Sequence, residues 1–119
     1  MILHIVFYQP KVGATPQDKA DLVRHLEVAS REIPTIEQVR VGRAVDLGLG
    51  YEDWSISLKL EFVAVFEFID STQLRSYLQH PAHAKLSELF WKVCDKTMIV
   101  DVEAWDPKLP QGLKSLLVK

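Results

Sequence analysis

Residues 56–68 read ISLKLEFVAVFEF. Ile56, Leu58, Leu60, Phe62, Ala64, Phe66 and Phe68 stand at alternate positions and share one face of an extended chain. A period of two over such a span predicts a β-strand with one wholly apolar face. The other face carries Ser57, Lys59, Glu61 and Glu67 toward its ends but Val63 and Val65 in its middle. Residues 2–8, ILHIVFY, repeat the theme: Leu3, Ile5 and Phe7 lie on one face, and Ile2, His4, Val6 and Tyr8 on the other. Helices can cover one face of an antiparallel sheet, leaving the second polar. Here the second face is apolar as well. Each such side chain left in water forgoes about 1.5–3 kcal/mol. The pattern therefore predicts a homodimer through the open sheet face, with two sheets enclosing a barrel-like core about a two-fold axis.

The elements between these strands complete the order. Thr15 caps a helix with Pro16 at its first position and Asp18 in its first turn. Leu22, Leu26, Ala29 and Ile33 form its apolar stripe, and Pro34 ends it. Ile36–Val45 reads as a strand in which Gly42 marks a bulge or a close backbone approach. Residues 46–55 read as an exposed loop. Asp70 or Ser71 caps a short helix through Leu74, Tyr77 and Leu78, which Pro81 interrupts. A second helix follows, with Ala82, Leu86, Leu89, Phe90 and Val93 as its stripe, and Thr97–Trp105 is a last strand. Strand, helix, strand, strand, broken helix, strand is the order of a ferredoxin-like split β-α-β fold. The expected class is α+β, a four-stranded antiparallel sheet in a dimeric α/β barrel. Residues 1–106 read as the domain. Residues 107–119 read as a C-terminal tail packing on that domain or on a partner.

Composition sets the outer bounds. With 119 residues, 48% hydrophobic and 25% charged, the chain suits one globular domain. A net charge of −2 and the absence of a basic run argue against nucleic acid as a partner. No apolar run approaches the roughly 20 residues of a membrane span, and MILHIVFYQP lacks the basic start of a signal peptide. A cytoplasmic location is the expectation. The single cysteine, Cys94, reads as a small buried hydrophobe.

The chemistry-bearing stretch is YLQHPAH, residues 77–83, which holds two of the chain's four histidines. A neutral imidazole can accept a proton near physiological pH. If Pro81 opens a helix, His83 lies in its first turn, where the positive helix end disfavours imidazolium. A tyrosine hydroxyl can donate to a carbonyl that is becoming an enolate. Tyr77 and His83 are therefore candidate acid–base residues for proton abstraction beside a carbonyl. The structural alternative is that His83 caps backbone or bonds a strand residue such as His4, while Tyr77 is core. His80, before the proline, reads first as a cap or surface residue. His80 and His83 are three apart across a helix break, and no cysteine or carboxylate cluster joins them, so no metal is expected. Asp101 and Glu103 read as a solvated edge face. His25 reads as a surface residue, and Trp54, Trp91 and Trp105 as packing. Dinucleotide, phosphate-loop and nucleophile-elbow motifs do not occur in the sequence.

HIVFY at the start, IP after a helix, VGRAV, FEF before a helix, YLQHPAH and a last strand ending VEAWD together resemble the stress-responsive A/B barrel family, also called the dimeric A/B barrel family. The resemblance spans residues 2–106. It implies a ferredoxin-like dimer with a cavity between sheet and helices. A plant polyketide cyclase of the family works without metal or cofactor, and its active tyrosine and histidine match Tyr77 and His83. Its first-strand histidine matches His4. Phe62 stands where that cyclase carries another pocket histidine, so the pocket implied here is more apolar. His4, Phe62 and His80 join the site as candidate ligand-binding residues. Two readings follow. One is a homodimer of unassigned activity that holds a small hydrophobic ligand. The other is a cofactor-independent enzyme of cyclase, isomerase or monooxygenase type, acting on a carbonyl-bearing hydrophobic substrate through Tyr77 and His83.

Overall fold

The computed structural model describes residues 1–50 and 60–117. Strand β1 spans Ile2–Pro10, helix α1 Pro16–Glu32, β2 Gln38–Arg43 and β3 Phe62–Phe68. Helices α2 (Ser71–Gln79) and α3 (Pro81–Val93) lead into β4 (Cys94–Glu103), and α4 covers Pro110–Ser115. The sheet order is β2-β3-β1-β4, antiparallel throughout. Each helical crossover thus skips one strand, as the split β-α-β reading requires.

The alternation seen in the sequence becomes the two faces of this sheet. Register pairs His4 with Phe66 on one side and Asp101 on the other, and Val6 with Ala64 and Ile99. Partners across an antiparallel pair share a face, so this face, with Phe68 and Phe62, looks toward the helices. Its centre is core: Ala64, Phe66 and Phe68 are buried with Leu22 and Ala29 of α1 and Ile33 at its C-cap, Leu74 and Tyr77 of α2, and Leu86 and Val93 of α3. Leu26, expected in the α1 stripe, packs only partly against that core. The other face carries Leu3, Ile5 and Phe7, flanked in register by Val63 and Val65 of β3 and by Met98, Val100 and Val102 of β4. All eight are only half-buried.

Caps fix where the helices begin. The Thr15 side chain accepts from the Asp18 backbone N–H at 3.0 Å, and Asp18 accepts in return from the Thr15 N–H at 3.3 Å, a complete capping box. The Asp70 carboxylate accepts from the Gln73 N–H at 2.9 Å. Strand ends differ from expectation. β2 is shorter than Ile36–Val45 and runs without a bulge. A Cβ on Gly42 would meet Val63 Cγ1 at an ordinary 3.5 Å, so neither role expected of that glycine holds. Within the strand expected over 56–68, residues 56–59 lie outside the described residues, and β3 itself starts at Phe62. The pairing still extends one residue back, since the Ala44 N–H donates to the Glu61 carbonyl at 2.8 Å. β4 begins at Cys94, directly after α3, and the chain is continuous from helix into strand. Past β4, Gly112 of α4 is buried against Trp105 and Asp106, where a Cβ would fall 2.7 Å from the Asp106 carbonyl oxygen. Among the described residues no helix is long and apolar enough to cross a membrane.

Candidate functional site

Pro81 builds the site. Proline disfavours helical backbone at the residue before it, and His80 is extended, with φ −71° and ψ 139°. His80 therefore closes α2 and opens α3. Its Nδ1 accepts from the Ala82 N–H at 3.0 Å, so it caps the second helix. The break turns the chain just enough to bring the last turn of α2 against the first turn of α3. Tyr77 and His83 meet there edge to face, with ring centroids 4.7 Å apart. The spacing of YLQHPAH thus reports a helix–cap–helix joint.

Tyr77 is 2% exposed and wedged among Phe66 and Phe68, each 5.2 Å away centroid to centroid. Burial pushes its phenol well above the ordinary value. It is a proton donor at any physiological pH. No hydrogen bond within the described residues engages its hydroxyl. His83 is shifted the other way. Burial lowers it, the nearby His4 ring lowers it further, and the Leu78 backbone carbonyl opposes both. A neutral imidazole beside a protonated phenol is the resting state at neutral pH.

His4 comes from the first half of β1 and is the buried polar residue of the core among the described residues, 6% exposed. Its ring lies 5.8 Å from both Phe66 and Tyr77. Its Nδ1 sits 2.5 Å from Asp101 Oδ1 on β4. Asp101 is exposed on the edge strand β4, as its alternation suggested, but it also bonds His4, which the alternation did not show. The strand register places it directly beside His4.

These side chains surround a cavity of about 200 Å³ between sheet and helices. His4, Tyr77 and His83 form one part of its wall, with Ser87 and Tyr8 also reaching it. The remainder is apolar: Leu22 and Leu26 from α1, Leu86 and Phe90 from α3, and Val6, Ala64 and Ile99 from the sheet. Trp91 (56% exposed), Ile99 (47%) and Leu78 (41%) belong to both the wall and the outer surface, which puts the mouth between α3, the end of α2 and the β4 edge. Trp91, expected as packing, stands at that mouth. Its exposure, like that of Ile99, is legible only once the cavity is seen. No Lys, Arg, Asp or Glu lines the cavity among the described residues.

Two expected ligand-binding residues fall elsewhere. His80 is engaged as the α3 cap and does not line the cavity. Phe62, the register partner of Tyr8, stacks on that ring at 5.5 Å and does not line the cavity. On its own account it carries the Arg43 guanidinium 5.6 Å from its centroid. His25, expected at the surface, is half-buried and its Nδ1 lies 2.9 Å from the Asp21 carbonyl. No group of three or more metal-ligating side chains occurs among the described residues.

A split β-α-β sheet with a small, mostly apolar cavity under its helices defines a ferredoxin-like α+β domain. Residues 2–104 match the stress responsive A/B barrel domain, and the chain belongs to that family. Solved structures agree on the fold. Protein At3g17210 of Arabidopsis thaliana superposes with a TM-score of 0.74 at 17% identity, over 92% of this chain and 100% of that chain. A hydroxynitrile lyase from Passiflora edulis gives a TM-score of 0.72 at 13% identity, over 89% of this chain and 96% of its own. A dimeric ferredoxin-like protein of unknown function from Thermobifida fusca gives 0.67 at 19% identity, over 85% and 88%. At these identities the likeness is one of fold alone. No curated protein sequence matches the chain significantly.

Proposed function

We propose that this protein is a homodimer that binds a small, uncharged, largely apolar molecule carrying a carbonyl or hydroxyl group. The observation that carries this reading is the pairing of an apolar cavity with one polar corner. Tyr77 offers a hydrogen-bond donor without a partner among the described residues, and His83 offers a neutral ring beside it. A ligand carboxylate would find no fixed cation in the wall and would lose its hydration without compensation. The cavity suits a compact ring or short chain. The dimer is supported by the half-buried apolar face of the sheet and by dimeric relatives of the same fold.

The corner also favours a second reading, in which the ligand is a substrate. Tyr77 would donate to a carbonyl oxygen as negative charge develops there, while a neutral ring takes a proton from the adjacent carbon. The fold carries catalysis in at least one solved neighbour, a hydroxynitrile lyase, although fold does not assign activity.

Thermal-shift measurements against a panel of phenols, aryl ketones and hydrophobic acids test the first reading. A ligand at about 100 times its Kd stabilises by about 2.7 kcal/mol, enough for several degrees in Tm. Neutral phenols or ketones should raise Tm, and the shift should shrink in Tyr77→Phe and His83→Gln. Stabilisation by acids alone, or shifts untouched by both substitutions, would overturn the site as drawn.

A further inference from the structure

Among the described residues, His4 is a buried group whose environment exceeds what ligand binding needs. It is 94% buried by complement of its 6% exposure, yet its Nδ1 is held at 2.5 Å by a carboxylate. Asp101 comes from the neighbouring strand and is itself about half exposed. A carboxylate on Nδ1 fixes the proton there and leaves Nε2 as a lone pair. Nε2 has no hydrogen-bond partner among the described residues, and the ring lines the cavity. Its centroid is 5.8 Å from that of Tyr77. A base backed by a carboxylate and an acid without a partner thus face the same small space.

We infer that Asp101 and His4 form a catalytic dyad in which His4 Nε2 is the base and Asp101 its positioning residue, acting on the carbon beside the carbonyl of a neutral ketone whose oxygen Tyr77 holds. This rests on the cavity reading above and adds to it the group that moves the proton. In the step, the C–H bond beside the carbonyl breaks and its proton passes to Nε2. The electron pair becomes the C=C bond of an enolate, and the charge settles on the oxygen facing the Tyr77 hydroxyl. Returning a proton to carbon restores the ketone, so no further reactant is consumed. The choice of His4 over His83 follows from the cation each would become. On His4 the new charge sits against Asp101. On His83 it would meet burial, with only the Leu78 carbonyl in its favour. Stabilising the imidazolium is what the carboxylate of such a pair does.

The test has two arms. Long-range ¹H–¹⁵N correlation on histidine-labelled protein at neutral pH reads the His4 tautomer directly. The expected result is a protonated Nδ1 and a bare Nε2, with the preference lost in Asp101→Asn. Asp101 is half exposed, so this variant should fold, and its melting curve checks that it does. A bare Nδ1, or a tautomer indifferent to Asp101→Asn, would overturn the dyad.

The second arm uses phenylacetone as probe, in D₂O, following deuterium entry at its acidic carbons by NMR. Exchange above the buffer rate is expected. It should fall about tenfold or more in Asp101→Asn and on the order of 100-fold in His4→Gln. If phenylacetone raises Tm but does not exchange, the dyad fails and the binding reading stands. If it neither raises Tm nor exchanges, both fail for this class of ligand. Should His4→Gln not fold, the wild-type tautomer and the Asp101→Asn rate decide alone.

Discussion

Ile5→Asp should break the proposed dimer. Ile5 sits at the middle of the open sheet face, with Val65 beside it on β3 and Val100 on β4. Its own strand neighbours on that face are Leu3 and Phe7. The side chain is already half-buried by these, so the lower end of the range for burying an isoleucine applies, about 1.5 kcal/mol. A two-fold axis doubles it, because each substitution enters the interface twice. About 3 kcal/mol corresponds to roughly a 100- to 200-fold rise in Kd. An aspartate with no partner adds a desolvation cost on top, so that rise is a floor. Sedimentation velocity over a dilution series reads both species. The natural chain should run as a dimer at micromolar concentration and Ile5→Asp as a folded monomer. Val23→Asp supplies the control, since Val23 is 62% exposed on α1 and away from the sheet. A natural chain that sediments as a monomer throughout would refute the reasoning, and so would an Ile5→Asp variant that stays dimeric.

Two further outcomes follow from the buried titratable groups. Because His83 is lowered in the folded chain, above pH 6.5 the ring is neutral in both states and contributes no pH dependence. As pH falls below 6.5 the unfolded chain takes up the proton first, so stability declines until the folded ring also titrates. Urea titrations over this range should show a decline that His83→Gln flattens, and an identical pH profile in that variant would count against the burial of His83. Cys94 is 3% exposed and its thiol is pushed up to about 11, chiefly by burial and then by Asp95, with Lys11 opposing. The thiolate is the reactive form, so a thiol reagent at pH 8 should label Cys94 only under denaturing conditions. Prompt labelling of the native protein would mean that the α3–β4 junction opens readily.

The parts of the fold that were legible in the sequence are those written in local periodicity and caps. Thr15 with Asp18, Asp70, and the alternation through Phe62–Phe68 each specify their element without help from distant residues. Tyr77 and His83 were legible together because Pro81 acts over three residues. His4–Asp101 was not. The two residues are 97 positions apart, and their contact exists only because β1 and β4 are neighbours in one particular register. Read within its own strand, Asp101 has the alternation of a solvent-facing edge. Phe62 is a different case. It lies on the correct face and stacks on Tyr8, its register partner, yet only Tyr8 lines the cavity, and periodicity gives a face without giving a depth. Trp91 and Ile99 show the same limit, since an apolar residue in a stripe looks alike whether it meets core or a cavity mouth.

Core and site share side chains in this protein, and that bears on how its function can be probed. Tyr77 packs against Phe66 and Phe68 as a core residue would, while its hydroxyl remains without a partner among the described residues. Truncating it to alanine would remove a ring from the centre of the core, at about 3–5 kcal/mol for an aromatic residue. A domain of this size holds only about 5–15 kcal/mol in all, so loss of ligand in such a variant would say nothing about the hydroxyl. Tyr77→Phe keeps the ring and removes one oxygen, and it separates the two roles. If the hydroxyl were structural, its removal should destabilise the chain. If it waits for a ligand, the variant should melt close to the temperature of the natural chain, because Tyr77 lines the cavity and no hydrogen bond among the described residues is lost with its oxygen. An equally stable but ligand-blind Tyr77→Phe is therefore the signature of a group held in place for something that is not part of the fold.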